Sequence, residues 1–124
     1  MEKIPKIVKG KTVNKGWGYE LHIENNNDYC GKLLVFNKGA KFSMHYHVEK
    51  YETWYVQSGE LKFRWIDPKS ADIIEQLLGP QDIVTIYQGI AHQLEAVEDS
   101  IIFETSTTDK VEDSFRVWKG DSQK

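Results

Sequence analysis

Cysteine is almost absent from this chain: Cys30 is the only one, so no internal disulfide can form, and a reducing compartment is the simpler setting. Its expected role is structural. Arginine is nearly as scarce, with Arg64 and Arg116 alone among 16 basic residues. Nothing approaches the ~20 consecutive apolar residues of a membrane-spanning helix. The opening "MEKIPKIVKGK" carries lysines but no apolar stretch of the kind a secretory signal needs, so the expected location is the cytoplasm. Blocks of like charge are missing too. The 16 basic and 19 acidic residues are interspersed and sum to −3, which excludes the basic surface that binding to a nucleic-acid backbone requires. There is no internal repeat, linker or low-complexity tract, so the expectation is one domain over residues 1–124. At this length roughly two-thirds of the unfolded surface can be buried.

Aromatic residues, by contrast, are plentiful: four Trp, six Tyr and five Phe, a load that suits pleated strands and pockets. Short apolar or alternating runs recur between turn signals. "YELHI" precedes Asn25 to Asp28, "GKLLVF" precedes Asn37 to Gly39, "ETWYVQ" precedes Ser58 and Gly59, and "LKFRWI" precedes Asp67 and Pro68. "DIVTIY", "AHQLEAV" and "SIIFETS" continue the series. Such spacing predicts an all-β sandwich or barrel. "ADIIEQLL", Ala71 to Leu78, reads as a short helix or as a further strand, and the terminal "KGDSQK" as a frayed tail.

A two-residue turn at Ser58–Gly59 predicts a hairpin pairing Gln57 with Glu60 and Trp54 with Phe63. Period-two alternation then puts Glu52, Trp54, Val56, Leu61, Phe63 and Trp65 on an interior face, with Thr53, Tyr55, Lys62 and Arg64 outside. Glu52 is a carboxylate at the edge of an apolar wall, where an unpaired charge is costly. It calls for a cation. His45 and His47, two residues apart, point to one side of a strand, and after a turn at Val48 to Lys50 the chain returns with Glu52 facing the same interior. His92 follows the turn "YQGIA" and shares its face with Leu94 and Ala96. His45, His47, Glu52 and His92 are therefore the candidate ligands of one divalent transition metal (Zn, Mn, Ni or Fe), a set that leaves room for water or substrate. His22 reads as an ordinary strand residue.

Gly39, His45, His47, Glu52 and Gly59, with five, one, four and six residues between them, resemble the first signature motif of the cupins at every fixed position. "DIVTIYQGIAHQLEA" resembles the second motif, with Gly89 and His92 at its glycine and metal-histidine positions. Gln81 stands where that motif has glycine, Tyr87 where it has proline and Ala96 where it often has asparagine. The resemblance covers about residues 29–105 and implies a double-stranded β-helix, a small jelly-roll barrel. It also implies a homodimer. The flanks, "KGWGYE" and "FETSTTDKVEDSFRVWKGD", are similar to those of the cupin module in bacterial type II phosphomannose isomerases, although those enzymes commonly have glutamine at the position of His45.

That narrower resemblance implies a metal-dependent sugar-phosphate isomerase. The metal would polarise oxygens at C1 and C2, with Glu104 as the candidate base and Glu52 as the alternative. Arg116 is the guanidinium available for a substrate phosphate, against a salt bridge within the tail. Trp54 and Phe63 are candidate substrate-binding residues where they reach the barrel mouth, against core packing. Trp17 either covers the barrel or packs at a dimer contact. Two rival readings share this ligand set: a sugar- or ligand-binding cupin without turnover, and an Fe(II)- or Mn-dependent oxygenase or decarboxylase.

Overall fold

In the computed structural model, which describes residues 3–124, strands carry the architecture. The strands are β1 (Lys11–Lys15), β2 (Gly18–Asn25), β3 (Cys30–Phe36), β4 (Met44–Tyr46), β5 (Glu52–Ser58), β6 (Leu61–Ile66), β7 (Ile73–Leu78), β8 (Ile83–Ile86), β9 (His92–Ala96), β10 (Ser100–Ser106) and β11 (Phe115–Trp118). They form a six-stranded sheet ordered β1-β2-β3-β10-β5-β8 and a five-stranded sheet ordered β11-β4-β9-β6-β7. All pairings are antiparallel. This is the all-β jelly-roll expected from the sequence. Met1 and Glu2, the first residues of the N-terminal segment, lie outside the described residues.

The predicted hairpin does not form. β5 pairs with β10 and β8 in one sheet, whereas β6 pairs with β9 and β7 in the other. Ser58 and Gly59 make a corner at which the chain crosses between sheets. Gly59 turns there with φ +95° and packs against the Ser100 side chain and the Asp99 carbonyl, leaving no space for a Cβ. The division into inner and outer faces survives because alternation depends on the strand itself and not on its partner. Trp54 and Phe63 therefore still meet, edge to face with centroids 5.5 Å apart, but across the core between the two sheets.

The segment at Ala71 to Leu78 resolves as a strand. Asp67 caps the turn before it, its Oδ1 accepting the Lys69 N–H at 2.8 Å while its carbonyl accepts the Ala71 N–H at 2.8 Å. β7 then pairs with β6 from Ile66↔Ile73 to Leu61↔Leu78.

The inner faces hold Trp17, Phe36, Phe42, Trp54, Leu94 and Ile102 in one apolar cluster. Each such side chain contributes about 1.5–3 kcal/mol by leaving water. Trp17 stacks on Phe36 at 4.5 Å and is 3% exposed, so it covers the barrel. The C-terminal tail is tied down rather than frayed. Asp121 exchanges hydrogen bonds with Lys41, through Oδ2 at 2.9 Å and its own N–H at 2.9 Å, and Ser122 Oγ accepts the Gly16 N–H at 3.0 Å.

Packing fills one end of the sandwich with apolar residues. At the other end the inward positions of β2, β3, β5 and β10 are polar, namely Glu20, His22, Lys32, Glu52 and Glu104. That end is the mouth.

Candidate metal centre and its cavity

His45 lies on β4 directly opposite His92 on β9, and opposite Arg116 on β11. His47 follows just past the end of β4. Ring centroids are 4.7 Å apart for His45 and His92, 5.1 Å for His45 and His47, and 5.6 Å for His47 and His92. Each imidazole is oriented through Nδ1, which donates to a backbone carbonyl: His45 to Ser43 at 2.8 Å, His47 to Asp113 at 2.6 Å and His92 to Ile90 at 2.8 Å. The Nε2 lone pairs are thereby left to converge, and one ligand atom from each ring lies within 4.8 Å of the others.

Burial, with the neighbouring imidazoles, disfavours the charged form of His45 and His92. It pushes His92 down to about 4, and it pushes His45 well below the usual histidine range with help from His92 and His47. Neutral imidazole is the form that binds metal.

Glu52 opens β5 and is 4% exposed. Its Oε1 accepts the Trp54 indole N–H at 2.8 Å. Oε1 is 3.6 Å from His92 Nε2, and Oε2 is 3.6 Å from His47 Nε2. The carboxylate thus borders the three-histidine cluster without joining its mutual set. His92 Nε2 and Glu52 Oε2 are buried and have no hydrogen-bond partner. The Lys50 ammonium, 3.3 Å away, offsets part of the cost at Glu52 Oε2, but the buried His92 Nε2 is costly unless something satisfies it. A divalent transition ion fits this donor set, and His45, His47 and His92 form a candidate site for one.

His45 and His47 border a cavity of about 550 Å³ lined from both sheets, with His92 buried behind them. Facing them is a charged wall, of which the sequence singles out only Glu52 and Glu104. Lys50 Nζ lies 2.9 Å from Glu104 Oε2 and 3.3 Å from both Glu52 Oε2 and Asp109 Oδ1. Lys32 Nζ lies 2.9 Å from Asp109 Oδ2 and 3.5 Å from Glu20 Oε1. Burial opposes charge on both lysines, but the surrounding carboxylates, Glu104 foremost, raise both above the ordinary lysine range. Burial likewise opposes charge on Asp109, yet Lys50 and Lys32 hold it down at about 2. His22 is a wall residue and not an ordinary strand residue, its Nε2 lying 2.7 Å from Glu20 Oε1.

Asp113, in a 3-10 turn before β11, organises the metal loop. Its carboxylate accepts the N–H groups of Val48 at 2.8 Å, Glu49 at 3.1 Å and Lys50 at 2.9 Å, and its carbonyl holds His47.

Of the remaining candidates, Glu104 points inward from β10 onto the cavity wall, and Arg116 is exposed at the mouth. Among the described residues no carboxylate pairs with Arg116, so the tail salt bridge is not formed. Trp54 and Phe63 do not line the cavity. They are 0% and 8% exposed and sit in the core: Trp54, level with Glu104 on β10, turns its ring edge onto Phe63, which pairs with Leu94 one inward position beyond His92. Trp54 instead serves the site by holding Glu52.

Part of the charged wall was open to inference. Lys50 is two residues before Glu52 and so shares its face, and Lys32 alternates inward with Leu34. Asp109 and Asp113 come from irregular chain beyond β10 and leave no periodic signal.

The chain belongs to the cupin family, whose domain model (Cupin domain) matches residues 32–105, more than half of its length. Solved structures share the fold. A capsular polysaccharide assembling protein, CapF from Staphylococcus aureus, superposes with a TM-score of 0.75 at 18% identity, covering 89% of this chain and 33% of that one. Oxalate decarboxylase from Bacillus subtilis gives 0.75 at 17% identity, covering 87% and 30%. KdgF from Halomonas sp. gives 0.69 at 18%, covering 85% and 90%. The chain thus spans about a third of the length of the first two and most of the third. No curated protein sequence matches it. Among the described residues no helix is long and apolar enough to cross a membrane.

Proposed function

We propose that this cupin is a metal-dependent sugar-phosphate isomerase interconverting an aldose phosphate and a ketose phosphate. The observation that carries the reading is the opposition, across one cavity, of a cluster of three imidazoles, two of which line it, and a wall of carboxylates bridged by lysines. A bound divalent ion would supply Lewis-acid polarisation of a carbonyl and its neighbouring hydroxyl. Glu104 takes the proton from one carbon and returns it to the next, with Lys50 holding its carboxylate in place at 2.9 Å. Glu52 is the alternative base. Carboxylates and lysines on the same wall suit a ligand rich in hydroxyls. Arg116 at the mouth offers a planar fork to the phosphate, where Lys15 and Lys110 also lie.

Incubating the protein with Zn, Mn or Fe(II) and hexose phosphates in deuterated water tests this reading. Deuterium should enter at the carbon adjacent to the carbonyl even where net conversion is slow. Arg116→Ala should raise KM for the phosphate ester far more than for the free sugar. No exchange with any metal or sugar, together with ligand-induced stabilisation, would favour a binding protein without turnover.

A second reading is metal-dependent decarboxylation or oxygenation. The fold shared with oxalate decarboxylase and a three-histidine centre with open positions support it. Oxygen uptake or carbon dioxide release without proton exchange would favour it.

For the assembled state we propose a homodimer. The outer face of the six-stranded sheet exposes Tyr19, Ile23, Tyr55, Ile83 and Phe103, and a second copy would cover it in a self-complementary contact. Light scattering that gives a monomer would remove the proposal. The buried thiol of Cys30 suits a reducing compartment such as the cytoplasm.

A further inference from the structure

The ammonium of Lys50 stands between two systems. On one side are Glu104 at 2.9 Å and Asp109 at 3.3 Å; on the other is Glu52 Oε2 at 3.3 Å. That Glu52 oxygen is also the one lying 3.6 Å from His47 Nε2 and lacking a hydrogen-bond partner. One carboxylate thus has two claimants, the ammonium and any ion held by the histidines. Lys50 and Glu52 are each 4% exposed, so water screens their attraction little. Neither group is free to withdraw. Glu52 Oε1 is fixed by the Trp54 indole at 2.8 Å, and the Lys50 backbone N–H is held by Asp113 Oδ2 at 2.9 Å.

We propose that Lys50 is a positioning residue of the metal centre, which competes with the ion for the Glu52 carboxylate and so keeps the centre a three-histidine site with positions open to substrate. The inference rests on the metal-site reading and not on the identity of the substrate. A purely structural Lys50 and a competing Lys50 predict opposite signs. Removing a merely structural cation loosens the wall and lowers metal affinity along with stability. Removing a competitor frees Glu52 to become a fourth ligand and raises affinity.

The test is titration of wild type, Lys50→Met, Glu52→Gln and the double variant with Zn²⁺, together with Co²⁺ absorption spectra. Lys50→Met should bind Zn²⁺ about tenfold tighter or more, a size typical of groups that act through a ligand. The gain should vanish in the Glu52→Gln background, and the Co²⁺ spectrum should change in Lys50→Met alone. Unchanged or weaker binding in folded Lys50→Met would overturn the proposal. So would a gain that persists without Glu52, which would mark simple removal of a positive charge.

Should Lys50→Met fail to fold, Glu104→Gln carries the test. With one partner lost, Lys50 leans harder on Glu52, so Zn²⁺ affinity should fall in the wild-type background and not in the Glu52→Gln background. Equal falls in both would overturn the proposal. A wild-type protein that binds no Zn²⁺ would overturn it together with the metal centre, whereas an inactive sugar-phosphate panel would overturn the isomerase reading alone.

Discussion

His45 and His92 face each other directly across the β4–β9 pair, their ring centroids 4.7 Å apart, each with Nδ1 fixed on the carbonyl two residues before it. Two distant segments thus present the same local device to one point. Their orientation is set by backbone carbonyls before any ion arrives, so the ordering cost of binding is already met.

Asp113 should matter more than its place in the tail suggests. Asp113→Ala removes the acceptor for three backbone N–H groups of the Val48 to Lys50 turn. The expected cost is about 3 kcal/mol of stability, with metal affinity lowered roughly 10–100-fold through His47. Asp113→Asn should recover part of both. Thermal melting and metal titration of the two variants check this, and an Asp113→Ala protein matching wild type in both would remove the role.

Asp109 sets an acid limit. Its carboxyl, held at about 2 against an ordinary 3.8, is depressed in the folded state. The stability it contributes is complete above pH 4 and is lost as pH falls from about 4 towards 2. Asp109→Asn should therefore be less stable than wild type at neutral pH, with the gap narrowing across that window. Denaturant midpoints between pH 2 and pH 6 read this out. A constant gap would show that the Lys50 and Lys32 pairs do not depress the group.

Gln81 carries a glycine's conformation, with φ +75°. It stands where the second cupin motif has glycine, and its N–H is held by the Val56 carbonyl at 2.9 Å. Relief of left-handed strain outweighs the extra unfolded-state freedom of glycine. Gln81→Gly should stabilise the protein by about 0.5–1 kcal/mol, seen as a raised Tm. A lowered Tm would mean that the side chain contributes more than the strain costs.

Alternation made the interior faces legible in the sequence, because the two-residue period belongs to each strand. For that reason Glu52, Trp54, Val56, Leu61 and Phe63 all face inward, as alternation predicts, although the hairpin expected to join them does not form. Strand partners were not legible. Ser58–Gly59 has the composition of a hairpin turn, and only contact with Asp99 and Ser100 shows it to be a corner between sheets. The histidines were readable from spacing. The charged wall is less so, since Lys50 lies in the turn before β5 and Asp109 and Asp113 reach the site from chain without strand periodicity. Ring packing was also hidden, so the sequence leaves Trp54 and Phe63 open between the barrel mouth and the core.

The central claim is that the three histidines hold one metal ion. Its most direct test is elemental analysis after loading with Zn²⁺ and desalting, on wild type and on His92→Ala. The account predicts close to one ion per chain in wild type, almost none in His92→Ala, and a melting temperature that rises with Zn²⁺ only in the former. Full occupancy in His92→Ala, or none in wild type, would contradict it.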